Sequence, residues 1–294
     1  MSKDALWPSA ASWLKPATEG SFDLGLLGVL ASETSISATG ANTTPAEIRV
    51  ALGRYSTYSW SQNKDLRDLS FADFGDSETP DSPAGESQTM QLANKVAKGS
   101  RLSIALGGDN SITYAVMRGV FGEELGHAGL ITFDAHHDLR DGVSNGSPVR
   151  RLIEAGLPGT SVVQIGINDF SNSPQYAARA KELGVHVIPR AAMRNRSADS
   201  VMDEALSKLG SKKLHVDIDM DVCDRAAVPA CPAAAPGGIS ADELRQFAFL
   251  VGKTSQVVSV DITEIDALAD SADGRTVRLG ALTILELANG LASR

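Results

Sequence analysis

The stretch RLSIALGGDNSITYAVMRGVFGEEL (residues 101–125) decides the fold. An apolar run at 102–106 ends in two glycines, Asp109 and Asn110, and a small polar turn then leads into a helix-like segment. α/β enzymes present a side chain in this way, at the carboxyl end of a parallel strand. Working outward, the same alternation fills the chain. Strand-like runs stand at 22–30, 128–138, 161–169, 185–189, 213–221 and 257–266. Helix-like segments stand at 44–52, 90–100, 147–156, 173–184, 198–210, 240–253 and 278–292. Pro45 and a threonine cap mark one helix start, and Gly156, Gly184 and Gly210 mark helix ends. Strands apolar on both faces, separated by amphipathic helices, predict a parallel sheet covered on both sides. The expected class is α/β, as one domain over residues 1–294, with GDSETPDSPAGES (75–87) as a mobile loop.

Composition bounds the function. With 43% hydrophobic and 21% charged residues the chain is globular rather than disordered. No apolar run approaches the roughly 20 residues that span a bilayer. A net charge of −9 supplies no basic face for nucleic acid or for anionic membranes. Residues 1–16 lack the basic-then-apolar layout of a signal peptide, so a cytoplasmic protein is expected. Cys223 and Cys231 form neither a CxxC pair nor a metal-ligand set and read as reduced thiols.

Acidic residues gather at three strand ends. Asp134, His136, His137 and Asp138 follow LITF; Asp217, Asp219, Asp221 and Asp224 follow KLHV; Asp261 and Glu264 follow VVSV. One such aspartate is ordinarily a helix cap or a turn former. Three acidic ends together repel each other unless a cation neutralises them, and two divalent ions would do so. In an extended segment residues i and i+2 share a side, so Asp134 with His136, and Asp219 with Asp221, can face one site while His137 faces away. A mainly oxygen set with one imidazole suits Mn²⁺ better than Zn²⁺. His127, His186 and His215 read as ordinary surface or core residues.

These residues resemble the ureohydrolase (arginase/agmatinase) superfamily. GGDN is similar to its GGDH, DAHHD to its DAHxD, DIDMDVCDRAAVPA to its D-x-D-x-x-D-P-x-x-x-P segment, and SVDITEID to its final acidic strand. GANTTPAEIR and FADFGDS resemble its N-terminal segments, so the similarity runs over nearly the whole chain. The resemblance implies a three-layer α/β/α sandwich with a mostly parallel sheet. It also implies two Mn²⁺ ions bridged by Asp134 and Asp219. Asp138 and Asn110 complete the first, and His136 and Asp221 the second. The implied reaction is attack of a metal-bridging hydroxide, oriented by Asp138, on a guanidinium carbon, with Glu264 gripping the guanidinium. Asp224 is implied to brace the metal loop.

Three departures from the family pattern bear on substrate. Asn110 replaces a ligand histidine, and a neutral amide oxygen donates less charge than imidazole. Asn145, in SNGSPVRRLIEAG, replaces a histidine associated with proton transfer and cannot titrate. VPACPAAAPGG (228–238) carries Ala and Cys where the family often has Thr and Gly. Because every carboxylate is kept, a specialised enzyme is expected rather than a decayed one. The expected substrate is Nω-hydroxy-L-arginine, giving hydroxyurea and L-ornithine as in the antibiotic-biosynthetic branch of the family. Arginase, agmatinase, guanidinobutyrase and formimidoylglutamase activities are the alternatives, beside a non-catalytic metal-binding relative. Asp138, Glu264 and Asn145 form the candidate catalytic set. Arg140, Ser144, Asp169, Ser171 and Asn172 are candidate substrate contacts beside Asn145 and Glu264. The only expected partner is a small guanidino amino acid, and the chain end directly after the last helix favours a monomer.

Overall fold

The computed structural model describes residue 4 and residues 6–294. The expectation drawn from residues 1–16 therefore falls in part on residues 1–3 and 5, outside the described residues. Among the described residues eleven strands are formed: β1 Lys15–Pro16, β2 Phe22–Val29, β3 Tyr58–Ser59, β4 Lys64–Asp65, β5 Phe71–Ser77, β6 Ser100–Gly107, β7 Gly129–Phe133, β8 Val162–Ile165, β9 His186–Ile188, β10 Leu214–Asp219 and β11 Val257–Thr263. The helices are α1 Ala10–Trp13, α2 Thr44–Ala51, α3 Pro83–Gly99, α4 Ile112–Phe121, α5 Pro148–Glu154, α6 Pro174–Glu182, α7 Arg190–Met193, α8 Ala198–Leu209, α9 Ala241–Lys253 and α10 Arg275–Leu291.

Nine strands form one sheet in the order β1-β5-β2-β6-β11-β10-β7-β8-β9, and every pairing in it is parallel. The small β3–β4 hairpin is antiparallel. On one face Leu102, Ile104 and Leu106 of β6 join Val216, Ile218, Phe133 and the apolar sides of α9 and α10. On the other, Leu27 and Val29 meet α3 and α4, and Leu130 meets Val149 and Leu152 of α5. The α/β class and its three layers are as expected.

After β6 the chain crosses to β7 and leaves a gap that β10 and β11 later fill. A crevice at the carboxyl ends of β6, β11, β10 and β7 is the place where open α/β sheets bind ligands.

Two sequence expectations are corrected. The 75–87 segment is not a long loop: β5 continues to Ser77, and α3 begins at Pro83, capped by the Ser82 hydroxyl on the Gly85 N–H. Proline at the first helical position and serine before it are the local cause. The threonine cap of α2 is also absent: Thr43 makes no capping bond, and the Thr44 hydroxyl donates instead to the Ile265 carbonyl at 2.5 Å. Among the described residues no helix is long and apolar enough to cross a membrane.

Candidate metal centre and its cavity

Gly107 ends β6, and the Gly108–Asp109–Asn110 turn follows. Gly108 has no room for a side chain, because a Cβ there would stand 2.1 Å from the Ala31 carbonyl oxygen. That close approach places Asn110 at the start of α4, with its backbone N–H on Glu264 Oε1 at 2.8 Å. After β7 the chain leaves the sheet, and residues 134–138 wrap the crevice. Asp138 and Glu264 both adopt left-handed backbone, with φ of 53° and 63°. Non-glycine residues held there cost on the order of 1 kcal/mol each, strain of a kind that concentrates at functional sites.

Asp134, His136 and Asp221 bring one ligand atom each within 4.8 Å of one another. His136 Nδ1 lies 2.7 Å from Asp221 Oδ2 and 3.6 Å from Asp134 Oδ1. Backbone N–H groups hold two carboxylates of the centre: Ala135 donates to Asp221 Oδ1 at 2.9 Å, and Asp221 donates to Asp219 Oδ1 at 2.8 Å. Asp134 Oδ2 is sealed from solvent and has no partner.

The electrostatics are those of a crowded acidic pocket. Burial, then the Asp221 charge, pushes Asp134 up to about 7. Burial followed by carboxylate neighbours pushes Asp138 and Asp219 well above the ordinary range. Although burial opposes it, the Asp221 and Asp134 charges push His136 up to about 12. Asp221 goes down: burial opposes this too, but the His136 charge and hydrogen bond prevail. An imidazolium thus stands among carboxylates that a divalent cation would satisfy better. The orphaned Asp134 oxygen and this donor set fit a hard or borderline metal ion.

Asn110 does not offer its amide oxygen to the site. That oxygen accepts the Thr113 and Thr263 hydroxyls, each at 2.9 Å, while Nδ2 donates to Asp138 Oδ2 at 2.7 Å. In this conformation Asn110 is a donor to a carboxylate, contrary to the sequence expectation of an oxygen ligand. Hydroxyls both donate and accept, so a half-turn of the amide keeps both threonines bonded and points the oxygen at Asp138's side.

A cavity of about 380 Å³ opens above the carboxylates. Its wall includes Asp138, Arg140, Asn145, Ser171, Asn172 and Glu264, all predicted, together with His136, Asp219 and Asp221. Asn145 Nδ2 donates to Glu264 Oε1 at 2.9 Å. Glu264 is pushed up to about 7 by burial, against the pull of the Asn145 hydrogen bond. Ser144 and Asp169 stand outside the wall: Ser144 is used in its own loop, its Oγ accepting the Gly146 N–H at 3.3 Å. Asn172 is committed to bracing, with Oδ1 on the His137 N–H and Nδ2 on the Ala135 carbonyl, both at 2.9 Å.

His137 was expected to face away, yet it lines the cavity. The two-residue alternation fails because the chain is no longer extended beyond Phe133. Ile36, Ser37 and Tyr176 join the wall without any sequence signal. Asp224 braces its loop as expected, accepting the Ala226 and Gly237 N–H groups at 2.8 Å. His215, expected as an ordinary surface or core residue, is a core residue: fully buried, it bonds Ser259 at 2.5 Å and Asp261 at 3.1 Å. Both cysteines are free and buried.

The Arginase family model matches residues 22–289. A formimidoylglutamase of Halalkalibacterium halodurans is 39% identical over 277 residues, covering 90% of this chain and 86% of that protein. The crystal structure of Bacillus subtilis formimidoylglutamase superposes with a TM-score of 0.92 at 30% identity, over 99% of this chain and 94% of that one. A manganese-containing Trypanosoma cruzi formiminoglutamase, an asparagine-to-histidine variant, superposes at 0.91 with 23% identity, over 98% and 99% of the two chains.

Proposed function

The chain belongs to the arginase family, and from that premise we propose that it is a dimanganese hydrolase of N-formimidoyl-L-glutamate, releasing L-glutamate and formamide. The observation that carries this choice of substrate is the charge of the cavity mouth. Arg140 lines it, and its guanidinium pairs with no carboxylate among the described residues, whereas its neighbours Arg150 and Arg179 are paired with Glu154 and Asp141. Beyond the metal carboxylates and Glu264, the wall carries no acidic group. A substrate with an anionic tail is served by such a mouth. The α-ammonium of arginine or hydroxyarginine would find no acidic partner there, since Asp169 stands outside.

The names of the similar proteins support the same substrate.

Asp134, Asp138, Asp219, His136 and Asp221 would hold the ions, with Asn110 joining after its amide turns. Bound there, manganese would supply Lewis acidity, making a water easier to deprotonate and so nucleophilic towards the amidine carbon. Glu264 Oε2 faces the cationic head, and the Asn145 and Asn110 N–H groups on Oε1 keep it aimed. Asp138 takes the proton of the attacking water. Asn145 does not titrate, so that proton is the one handed to the departing amine. Arg140 meets a carboxylate of the tail.

Steady-state hydrolysis with added Mn²⁺ tests this, with N-formimidoyl-L-glutamate compared with Nω-hydroxy-L-arginine, L-arginine and agmatine. Preference for the formimidoyl substrate by tenfold or more in kcat/KM is expected. Preference for hydroxyarginine, with hydroxyurea released, would overturn the proposal.

A further inference from the structure

The cavity wall holds an imidazole that this chemistry leaves unused. His137 Nδ1 lies 2.7 Å from Gln164 Oε1, and Gln164 Nε2 donates to the His137 carbonyl at 3.0 Å. The second bond fixes which end of the amide faces the ring, so Nδ1 carries the hydrogen and donates it. Gln164 is fully buried within β8, and the His137 N–H is held by Asn172 Oδ1. Nε2 is thus the one polar atom of His137 without a protein partner, and it is not sealed from solvent. The residue as a whole is only 5% exposed, and it stands in the cavity wall.

The substrate's head needs such an atom. A formimidoyl group carries three N–H bonds when protonated, each seeking an acceptor. Glu264 Oε1 already takes two N–H groups from the protein, which leaves mainly Oε2 for the substrate. The remaining carboxylates of the floor are those assigned above to metal.

We infer that His137 is a specificity-determining residue whose Nε2 accepts an N–H of the substrate's amidine, sharing the cationic head with Glu264. The inference rests on the amidine-hydrolase reading above. It adds that Gln164, from within the sheet, is the positioning residue that fixes the tautomer.

The test is steady-state kinetics of the manganese-loaded enzyme and of His137→Phe, which keeps a flat ring and removes the acceptor, and His137→Gln, which restores an acceptor oxygen. Manganese content and Tm are measured alongside. His137→Phe is expected to raise KM for N-formimidoyl-L-glutamate about 10- to 100-fold with kcat within about threefold, the range for a hydrogen bond to a charged group. His137→Gln is expected to recover part of that loss, and it tests the acceptor even if the phenylalanine variant fails to fold. An unchanged KM in His137→Phe, an equal KM in the two variants, or a loss that follows manganese content would overturn the inference. If the wild-type enzyme instead prefers another amidine, the substrate assignment fails, and the same comparison on that amidine still decides His137. If no amidine is turned over, both fall.

Discussion

Asn145 joins the acidic floor of the cavity to its rim. Its amide N–H donates to Glu264 Oε1 at 2.9 Å, and its amide oxygen accepts the Ile36 N–H at 3.0 Å. The resemblance set this residue against a proton-transfer histidine, and the bonds it makes here are those of a holding residue. Asn145→Ala leaves a buried carboxylate oxygen short of a donor and unties the 34–36 segment. A loss of about 1–3 kcal/mol in transition-state binding is expected, roughly 5- to 150-fold in kcat/KM, with manganese content unchanged. Metal analysis beside kinetics checks this, and a loss of manganese from the variant would contradict the holding role.

Gly108 sets the position of the same carboxylate from the other side. Its carbonyl accepts the Glu264 N–H at 3.0 Å, and its own N–H donates to the Val29 carbonyl at 3.1 Å. A Cβ at Gly108 meets backbone atoms of Ala31 at 2.1 to 2.8 Å, none of which can swing aside. Gly108→Ala is therefore expected to destabilise the fold by about 2 kcal/mol or more, as overpacking does, and to displace Glu264. Urea unfolding gives the first quantity. A variant with unchanged midpoint and unchanged activity would show that the turn has slack.

The sheet and its helices were legible because parallel strands buried on both faces read as apolar runs, and glycines stop the helices between them. β5 was the difficult case: FADFGDS carries two aspartates and a glycine, and its half-exposed place near the sheet's edge removes the apolar signal. The acidic strand ends were legible because repulsion among like charges demands an explanation. What sequence could not supply was side-chain direction beyond the last ladder bond. Asn110 turned its oxygen to two threonines distant in sequence or concealed in the next helix turn, and His137 found Gln164 on a neighbouring strand. Both outcomes depend on contacts between segments, which no local period encodes.

Metal and protons compete for the same oxygens. In the metal-free protein Asp134 and Glu264 both titrate near 7, above their ordinary values, because burial opposes their ionisation. A raised folded-state value means a contribution to stability that is present below about pH 4 and lost as pH rises through 7. His136, pushed up to about 12, acts in the same direction over a higher range, from about pH 6.5 upward. The metal-free Tm is therefore expected to fall between pH 5 and pH 8. Manganese should restore it, adding about 2.7 kcal/mol of stability at one hundred times its Kd. Thermal melts with chelator and with Mn²⁺ across this range check the sign. A manganese effect largest at pH 5 would be the contrary result.

Arg140 provides the sharpest test of the substrate's tail. Its stem packs over Gly146, where an added Cβ would lie 2.7 Å from Arg140 Cδ, while the residue as a whole is exposed. Its backbone is pinned as well, the N–H on the Gly146 carbonyl at 3.0 Å and the carbonyl on Arg150 Nε at 2.6 Å. Arg140→Gln keeps the stem and removes the charge. Because the group is exposed, its pairing with a carboxylate is screened and worth about 1 kcal/mol. A rise of about fivefold in KM for N-formimidoyl-L-glutamate is expected, with kcat nearly unchanged. That penalty should shrink as salt increases, since screening already weakens the wild-type contact. Formamidine, which has the same reacting carbon and no carboxylate, supplies the control: its slower hydrolysis should be indifferent to the substitution. An equal loss on both substrates would mean that Arg140 shapes the loop 138–145 rather than reading the tail.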